Sequence, residues 1–340
     1  MREAVSRVWL PGLVAALLFL LSSEPVFAVD VLSSRNDDGR TGSNLQETIL
    51  TPDNVRDDFG WLFSYDTKAD VYAQPLFVSD LKLVSGRRAN VVFVANVRND
   101  VFAFDADGPP PGNDGVIWTR NLGPPETIGE ALDTDGGGDG NTRKFGDVGI
   151  LGTPVIDTTR QVLFLVSRQV ERPKGGKKVF SQWLYALDLS TGADKAPPLK
   201  IEASGLSNPT DKDSEPIVFD PRLQNQRVGL ALANGHVVVA WGSHEDQEAY
   251  RGWVISFDYQ PGSLRRNGSF VTTPTGSTIG LLKLEGVCLW TGECAQGGIW
   301  QSGRAPAIDD KGRVLLFVGN GHNPRKPIGK NFDFGDSFVI

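Results

Sequence analysis

Val101–Asp105 reads V-F-A-F-D, Leu184–Asp188 reads L-Y-A-L-D and Val254–Asp258 reads V-I-S-F-D. Each pentapeptide alternates apolar side chains along a strand and closes on an aspartate, so one supersecondary unit is used several times. The closing aspartates lie 83 and 70 residues apart. A second pattern keeps step with them. T-P-V-I-D-T-T-R-Q-V-L-F-L-V (Thr153–Val166) and A-P-A-I-D-D-K-G-R-V-L-L-F-V (Ala305–Val318) share Pro, Ile, Asp, Val, Leu and Val at matching places. These read as hairpins: a strand opened by proline, a polar turn, then a second apolar strand.

Extending outward from these anchors, the chain divides into units of four strands. The first runs through Gln74–Phe77, Val91–Asn96, Val101–Asp105 and Val116–Arg120, and the second through Thr153–Asp157, Val162–Ser167, Trp183–Asp188 and Leu199–Ala203. A third takes Val228–Leu232, an Asn234-Gly235 hairpin turn, His236–Gly242, Trp253–Asp258 and Ser269–Thr273. In the fourth, F-G-D-S-F-V-I (Phe334–Ile340) reads as a repeat cut inside its third strand. Phe59–Tyr65 is a further expected strand, able to close a four-unit ring in one reading. Residues 29–58 are a polar lead-in that wraps the body, and 59–340 form the repeat domain. With 39 glycines, 21 prolines, one methionine and no sustained 3.6-residue apolar period, the chain favours short strands over helices. Repeated four-stranded antiparallel units that cannot bury both faces alone predict an all-β fold, a β-propeller with about four blades in this chain.

Composition bounds the function. The chain has 340 residues, 40% of them hydrophobic, enough for a large core. A formal charge of -7 argues against nucleic acid or an anionic membrane as partner, since both reward a basic face. Arg2 and Arg7, the apolar run Val8–Leu21 and V-F-A ending at Ala28 have the layout of a secretory signal peptide over 1–28. The run is short for a bilayer span, so the mature chain is expected to begin near Val29, without a membrane span, in the periplasm or outside the cell. In an exported protein Cys288 and Cys294 are expected to form a loop-stapling disulfide.

Several stretches resemble the quinoprotein-like β-propellers with pyrroloquinoline quinone-type repeats, in particular secreted bacterial members. They are Y-A-Q-P-L-F-V (Tyr72–Val78), V-F-A-F-D-A-D (Val101–Asp107), G-T-P-V-I-D (Gly152–Asp157), L-Y-A-L-D-L-S-T-G (Leu184–Gly192), G-G-I-W-Q-S-G (Gly297–Gly303) and G-D-S-F (Gly335–Phe338). The resemblance runs over about residues 35 to 340 and implies a propeller of seven or eight blades, of which this chain is a partial copy. It also implies pyrroloquinoline quinone and calcium as cofactors. The dehydrogenases of that group clamp the quinone between a tryptophan and a disulfide of adjacent cysteines, with Glu, Asn and Asp around the metal. Adjacent cysteines are missing here, and no matching Glu, Asn and Asp set is found.

Strand alternation groups residues that lie far apart. In a blade of strands A to D, the B-to-C turns and the D-to-A connections emerge on one face. That face is expected to collect Asn96, Arg98, Asn99, Arg168, His244, Asn320 and His322 from the turns, and Asp147, Trp300 and Gln301 from the connections. Arg98, Asp147, Arg168, His244, His322, Trp300 and Gln301 are therefore the candidate ligand-binding residues. Two of them, His244 and His322, occupy equivalent turns, either as proton-transfer groups near a pocket or as turn residues bonded to local backbone. Asp133, Asp135 and Asp139 alternate with glycine and offer oxygen ligands for calcium, or form an acidic loop without metal; their spacing departs from the EF-hand pattern. Asp105, Asp188 and Asp258 fall on the opposite face, as turn-pinning carboxylates. No hydrolase or nucleotide-binding motif is present. The expected function is an exported, non-catalytic binding or scaffold protein whose loop-rich face takes a protein or carbohydrate. The alternatives are a quinone-dependent alcohol or sugar dehydrogenase and a hydrolase or lyase acting on carbohydrate.

Overall fold

A computed structural model describes residues 29–57, 59–127, 146–206, 216–244, 250–274, 296–321 and 333–340. Among the described residues, eighteen strands and almost no helix make the fold all-β. Blade one is β1 (Leu76–Lys82), β2 (Arg88–Ala95), β3 (Asp100–Asp105) and β4 (Val116–Asn121), hydrogen-bonded in that order and antiparallel throughout. Blade two is β5 (Val155–Asp157), β6 (Val162–Glu171), β7 (Val179–Asp188) and β8 (Leu199–Lys200). A two-stranded ribbon, β9 (Ser204–Leu206) with β10 (Pro216–Val218), leads to blade three. There β11 (Gln224–Asn225) and β12 (Ala231–Ala233) both pair with β13 (His236–Ser243), followed by β14 (Trp253–Gln260) and β15 (Ser263–Val271). Blade four comprises β16 (Ala307–Ile308), β17 (Val314–Phe317) and β18 (Phe338–Val339). Among the described residues no helix is long and apolar enough to cross a membrane.

Two-residue periodicity explains the packing. Along β6, Leu163 and Leu165 join a core with Leu76, Val91 and Phe93 of blade one. The intervening Phe164 and Val166 join a second core with Val237, Val239 and Trp241 of blade three. Along β13 the in-between residues, Val238 and Ala240, meet blade four at Ile308, Val314 and Leu316. The central blades are therefore apolar on both faces and covered on both, the condition for near-continuous hydrophobic strands. Leu163, Phe164 and Leu165 are all fully buried. Truncating such a side chain to alanine costs about 2–5 kcal/mol.

The two ends of the series differ. The free face of blade one, with Val94, Phe102 and Phe104, is covered by Tyr65, whose ring stacks on Phe104 at 4.4 Å. Tyr65 also donates its hydroxyl to the Asp105 carbonyl at 2.7 Å. The expected strand over Phe59–Tyr65 does not form: the segment is irregular and attaches through rings rather than through a ladder. The lead-in wraps the body only in part. Residues 31–42 run as a strap along the inner strands, while 43–57, with one short helix α1 (Pro52–Asp57), are mostly exposed. The strap pairs Val31 with Phe77, accepts Ile156 N–H at the Leu32 carbonyl and Ile308 N–H at the Asp38 carbonyl, and donates from Arg40 Nε to the Pro306 carbonyl at 2.9 Å.

Turn chemistry follows the sequence. Asn234 and Gly235 both take positive φ, 50° and 82°, which is what a two-residue hairpin demands. The Asp188 carboxylate accepts from Ser190 N–H at 2.9 Å and from the Ser190 and Thr191 hydroxyls. Burial opposes ionisation there, but these hydrogen bonds and Lys195 hold the Asp188 pKa below the usual carboxylate range. Asp105 accepts from Asp107 N–H, and Asp258 lies 2.6 Å from His236 Nδ1. Asp105 and Asp188 pin their turns through backbone N–H groups, as their position predicts, whereas Asp258 lies inside β14 and is held across the strands by His236 instead.

Candidate functional site

The inner strands meet near their starts. Gln74 precedes β1 and donates its backbone N–H to Thr153 Oγ1 at 3.0 Å, just before β5. The Leu230 N–H, before β12, donates to the Thr153 carbonyl at 2.8 Å. Arg227 Nη1 donates to the Leu151 carbonyl at 3.3 Å. Strand alternation puts these starts at the loop-rich end of the inner strands. They enclose a cavity of about 360 Å³ lined by Tyr72, Gln74, Thr153, Arg227, the turn 302–304 and the strap residues 34–36 and 42.

Three arginines, Arg35, Arg227 and Arg304, line that cavity, and no carboxylate does. Among the described residues none of the three has an ion-pair partner. Arg227 is half buried, with its guanidinium 5.9 Å from the centre of the Tyr72 ring. Burial pushes its pKa down, and Tyr72 acts in the opposite direction. A desolvated guanidinium without a counter-ion stores electrostatic energy that an anion releases. The strap supplies one wall: Arg35 N–H donates to Gln74 Oε1 at 3.0 Å and Ser34 Oγ approaches the Gly303 carbonyl at 3.5 Å.

The expected site residues fall into three groups. Arg98 Nε donates to Asp147 Oδ2 at 2.8 Å, so a B-to-C turn and a D-to-A connection do meet on one face. Arg168 is not in a turn, as the sequence had implied, because β6 and β7 run on through Glu171–Val179 and carry it inside a strand. Its guanidinium is buried and donates to Glu126, to the Pro221 carbonyl at 2.7 Å, to Gln224 O at 3.0 Å and to Arg222 O at 2.8 Å. His244 Nε2 lies 3.5 Å from the other Glu126 oxygen. Burial alone would raise the Glu126 pKa, but His244 and Arg168 together hold it below the ordinary glutamate range. This cluster stitches blade two to the 221–224 segment, and its cation is fully used. Trp300 lies over Gly242, Gly298 and Gly319, where any β-carbon would come within about 3 Å of the indole. Gln301 is tied to its own loop, donating to the Ala305 carbonyl and accepting from Phe317 N–H. His322, the aspartates Asp133, Asp135 and Asp139, Cys288, Cys294 and the expected signal peptide lie outside the described residues.

Sequence reasoning missed Glu126 and the cavity arginines. A signal existed for the cavity: Q-P at 74–75, T-P at 153–154 and R-A-P at 304–306 place a polar residue just ahead of three proline-opened inner strands. Among the described residues no three His, Cys, Asp or Glu side chains come together as a metal site.

No family model and no curated protein matches the chain. Solved structures do. The quinohemoprotein alcohol dehydrogenase from Comamonas testosteroni aligns with a TM-score of 0.52 at 17% identity, covering 86% of this chain and 36% of that one. A europium-containing methanol dehydrogenase aligns with a TM-score of 0.50 at 15% identity, covering 86% of this chain and 43% of the other. The chain thus spans well under half of either protein. At such identities the likeness is one of fold, a β-propeller of four-stranded antiparallel blades.

Proposed function

We propose that this chain is a ligand-binding propeller segment that takes a small carboxylate-bearing molecule into the mouth formed by its inner strands. The single observation carrying this reading is the cavity with three arginines and no acid. Guanidinium groups bind carboxylates through charge-assisted, often bidentate hydrogen bonds, each worth about 1.5–3 kcal/mol. Gln74, Thr153 and Ser34 add neutral polar groups that could orient the ligand.

Pyrroloquinoline quinone, with three carboxylates, suits this donor set. Calcium does not suit it: the described residues hold no carboxylate cluster beside the cavity. The fold likeness to two alcohol-oxidising enzymes supports a second reading, a quinone-dependent oxidoreductase. When bound, the quinone would supply the electron-accepting chemistry. This chain's residues would bind and orient it, Arg227 and Arg304 by charge and the strap by closing one wall. An exported location, periplasmic or extracellular, agrees with the reading of residues 1–28, and N-terminal sequencing of secreted material beginning near Val29 would establish it. A protein or glycan partner on the same face belongs to the proposal as well, and an array of neutral and acidic glycans distinguishes it.

Calorimetric titration with pyrroloquinoline quinone, with and without calcium, tests the main reading. Binding is expected at one site per chain, weaker in high salt, and at least about tenfold weaker in Arg227→Gln, a factor equal to about 1.4 kcal/mol. Absence of binding by the quinone and by simple tricarboxylates would reject it. Dye-linked oxidation of alcohols or sugars by the loaded protein would select the enzymatic reading.

A further inference from the structure

Arg40 stands near the end of the strap, and its side chain is 2% exposed. The strap curls around it. Arg40 Nη1 donates to Ser33 Oγ at 2.7 Å, to the Asp37 carbonyl at 2.9 Å and to the Ser34 carbonyl at 3.4 Å. The loop also closes on itself, from Asn36 N–H to the Ser33 carbonyl and from Gly42 N–H to the Arg35 carbonyl. On its other side Arg40 Nε donates to the Pro306 carbonyl at 2.9 Å, two residues beyond Arg304. Nη2 makes no hydrogen bond among the described residues and lies 4.0 Å from the exposed Asp38 carboxylate.

Burying a cation is costly, so a guanidinium stays inside a protein where acceptors meet its donors. Here those acceptors belong to the segments that build the walls of the mouth. Ser34, Arg35 and Asn36 form one wall and residues 302–304 another, while Arg40 itself does not line the cavity. Arg35 and Asn36 take φ of 64° and 71°, left-handed values that such residues hold only where surrounding contacts over-determine them. The carbonyls on either side of this strained pair, those of Ser34 and Asp37, are the ones that Arg40 holds.

We propose that Arg40 is the positioning residue of the mouth: its buried guanidinium fixes the strained turn that carries Arg35 and ties that turn to the segment carrying Arg304. The inference rests on the reading of the mouth as a carboxylate site. Arg40 makes no contact with the ligand. It sets two of the three binding cations at their spacing before a ligand arrives, so the ligand does not have to order them. Lysine cannot stand in, because one ammonium lacks the planar fork that reaches Pro306 on one side and the strap carbonyls on the other.

Hydrogen exchange of the purified protein without ligand gives the first test. Arg40→Ala is expected to speed exchange in residues 31–42 and at the Ile308 amide, which donates to the Asp38 carbonyl, while β6 and β13 keep the parent's protection. Parent-like exchange in the strap would overturn the proposal, and so would lost protection in β6 and β13, since Arg40 would then support the whole fold. Calorimetric titration with pyrroloquinoline quinone and with citrate gives the second test. Arg40→Ala and Arg40→Lys are expected to bind at least about tenfold more weakly than the parent, the ordering of the walls now being charged to the ligand. Val166→Ala, a destabilised control in the core joining blades two and three, is expected to keep the parent's affinity. Guanidinium chloride below denaturing concentration is expected to restore affinity to Arg40→Ala, relative to the parent in the same salt, which a general loss of stability does not allow. Undiminished affinity in Arg40→Ala, an equal loss in Val166→Ala or an absence of rescue would each overturn the proposal. A parent that binds neither compound would reject the carboxylate reading alone, and the exchange test would still decide whether Arg40 holds the two walls.

Discussion

The buried ion pair of Arg168 and Glu126 shows how little of a charged residue's purpose is legible from its type. Arg168 is 3% exposed and has its donors committed to one carboxylate and three carbonyls. Removing one partner of such a pair strands the other charge in a medium that cannot solvate it, which costs about 3 kcal/mol or more. Glu126→Gln is therefore expected to lower the thermal midpoint markedly, read in a calorimetric scan. The same pair sets a pH dependence. The Glu126 pKa is depressed on folding, so its contribution is present above the ordinary glutamate value and is lost as pH falls through the folded value. Acid titration of stability should show this loss in the parent and a shallower slope in Glu126→Gln. At the mouth the logic reverses. Arg227 has no carboxylate among the described residues, so Arg227→Gln is expected to leave stability nearly unchanged, in the same calorimetric scan, while weakening the binding of carboxylates.

At the scale of elements, turns were legible and strand lengths were not. The aspartates that close β3 and β7, the Asn234-Gly235 hairpin and the Thr191-Gly192 turn follow from short-range chemistry that the local sequence contains, whereas β14 runs on past Asp258 to Gln260. Gly192 makes the point: its φ is 70°, and a β-carbon there would sit 2.6 Å from the Trp118 ring. Gly192→Ala is expected to cost about 1–3 kcal/mol through backbone strain alone, more with the clash, measurable as a shift in the urea midpoint. The extension of β6 and β7 past Arg168 was not legible, because Gln169, Val170 and Ser181 carry no signal separating a long hairpin from a turn. Phe59–Tyr65 misled for a related reason. An aromatic run reads as a strand, yet this one attaches through the rings of Phe63 and Tyr65, leaves Phe59 and Trp61 exposed and joins no ladder. Blade four has strands of two, four and two residues against ten in β6 and β7. Hydrogen exchange is expected to begin in blade four and end in β6 and β13, since local stability follows buried contacts.

Across the whole molecule the repeat fixed the architecture, because a period of a few strands can only be satisfied by sheets that cover one another's faces. The binding residues lay beyond its reach. Arg35, Arg227 and Arg304 converge from three distant stretches, and only the stacking of blades brings them within one cavity. The strap has a further consequence for how the protein is made. Ser34 and Gly303, in contact in the finished protein, are separated by 269 positions along the chain, and Arg40 and Pro306 by 266. A ribosome releases residues 31–42 before the blades that receive them, so this segment is made ahead of its partners at Phe77, Ile156 and Ile308 and is seated only after them. Until blade four emerges, the inner strands must wait with bare edges, and a helper that shields unpaired strands during that interval would raise the yield of native protein.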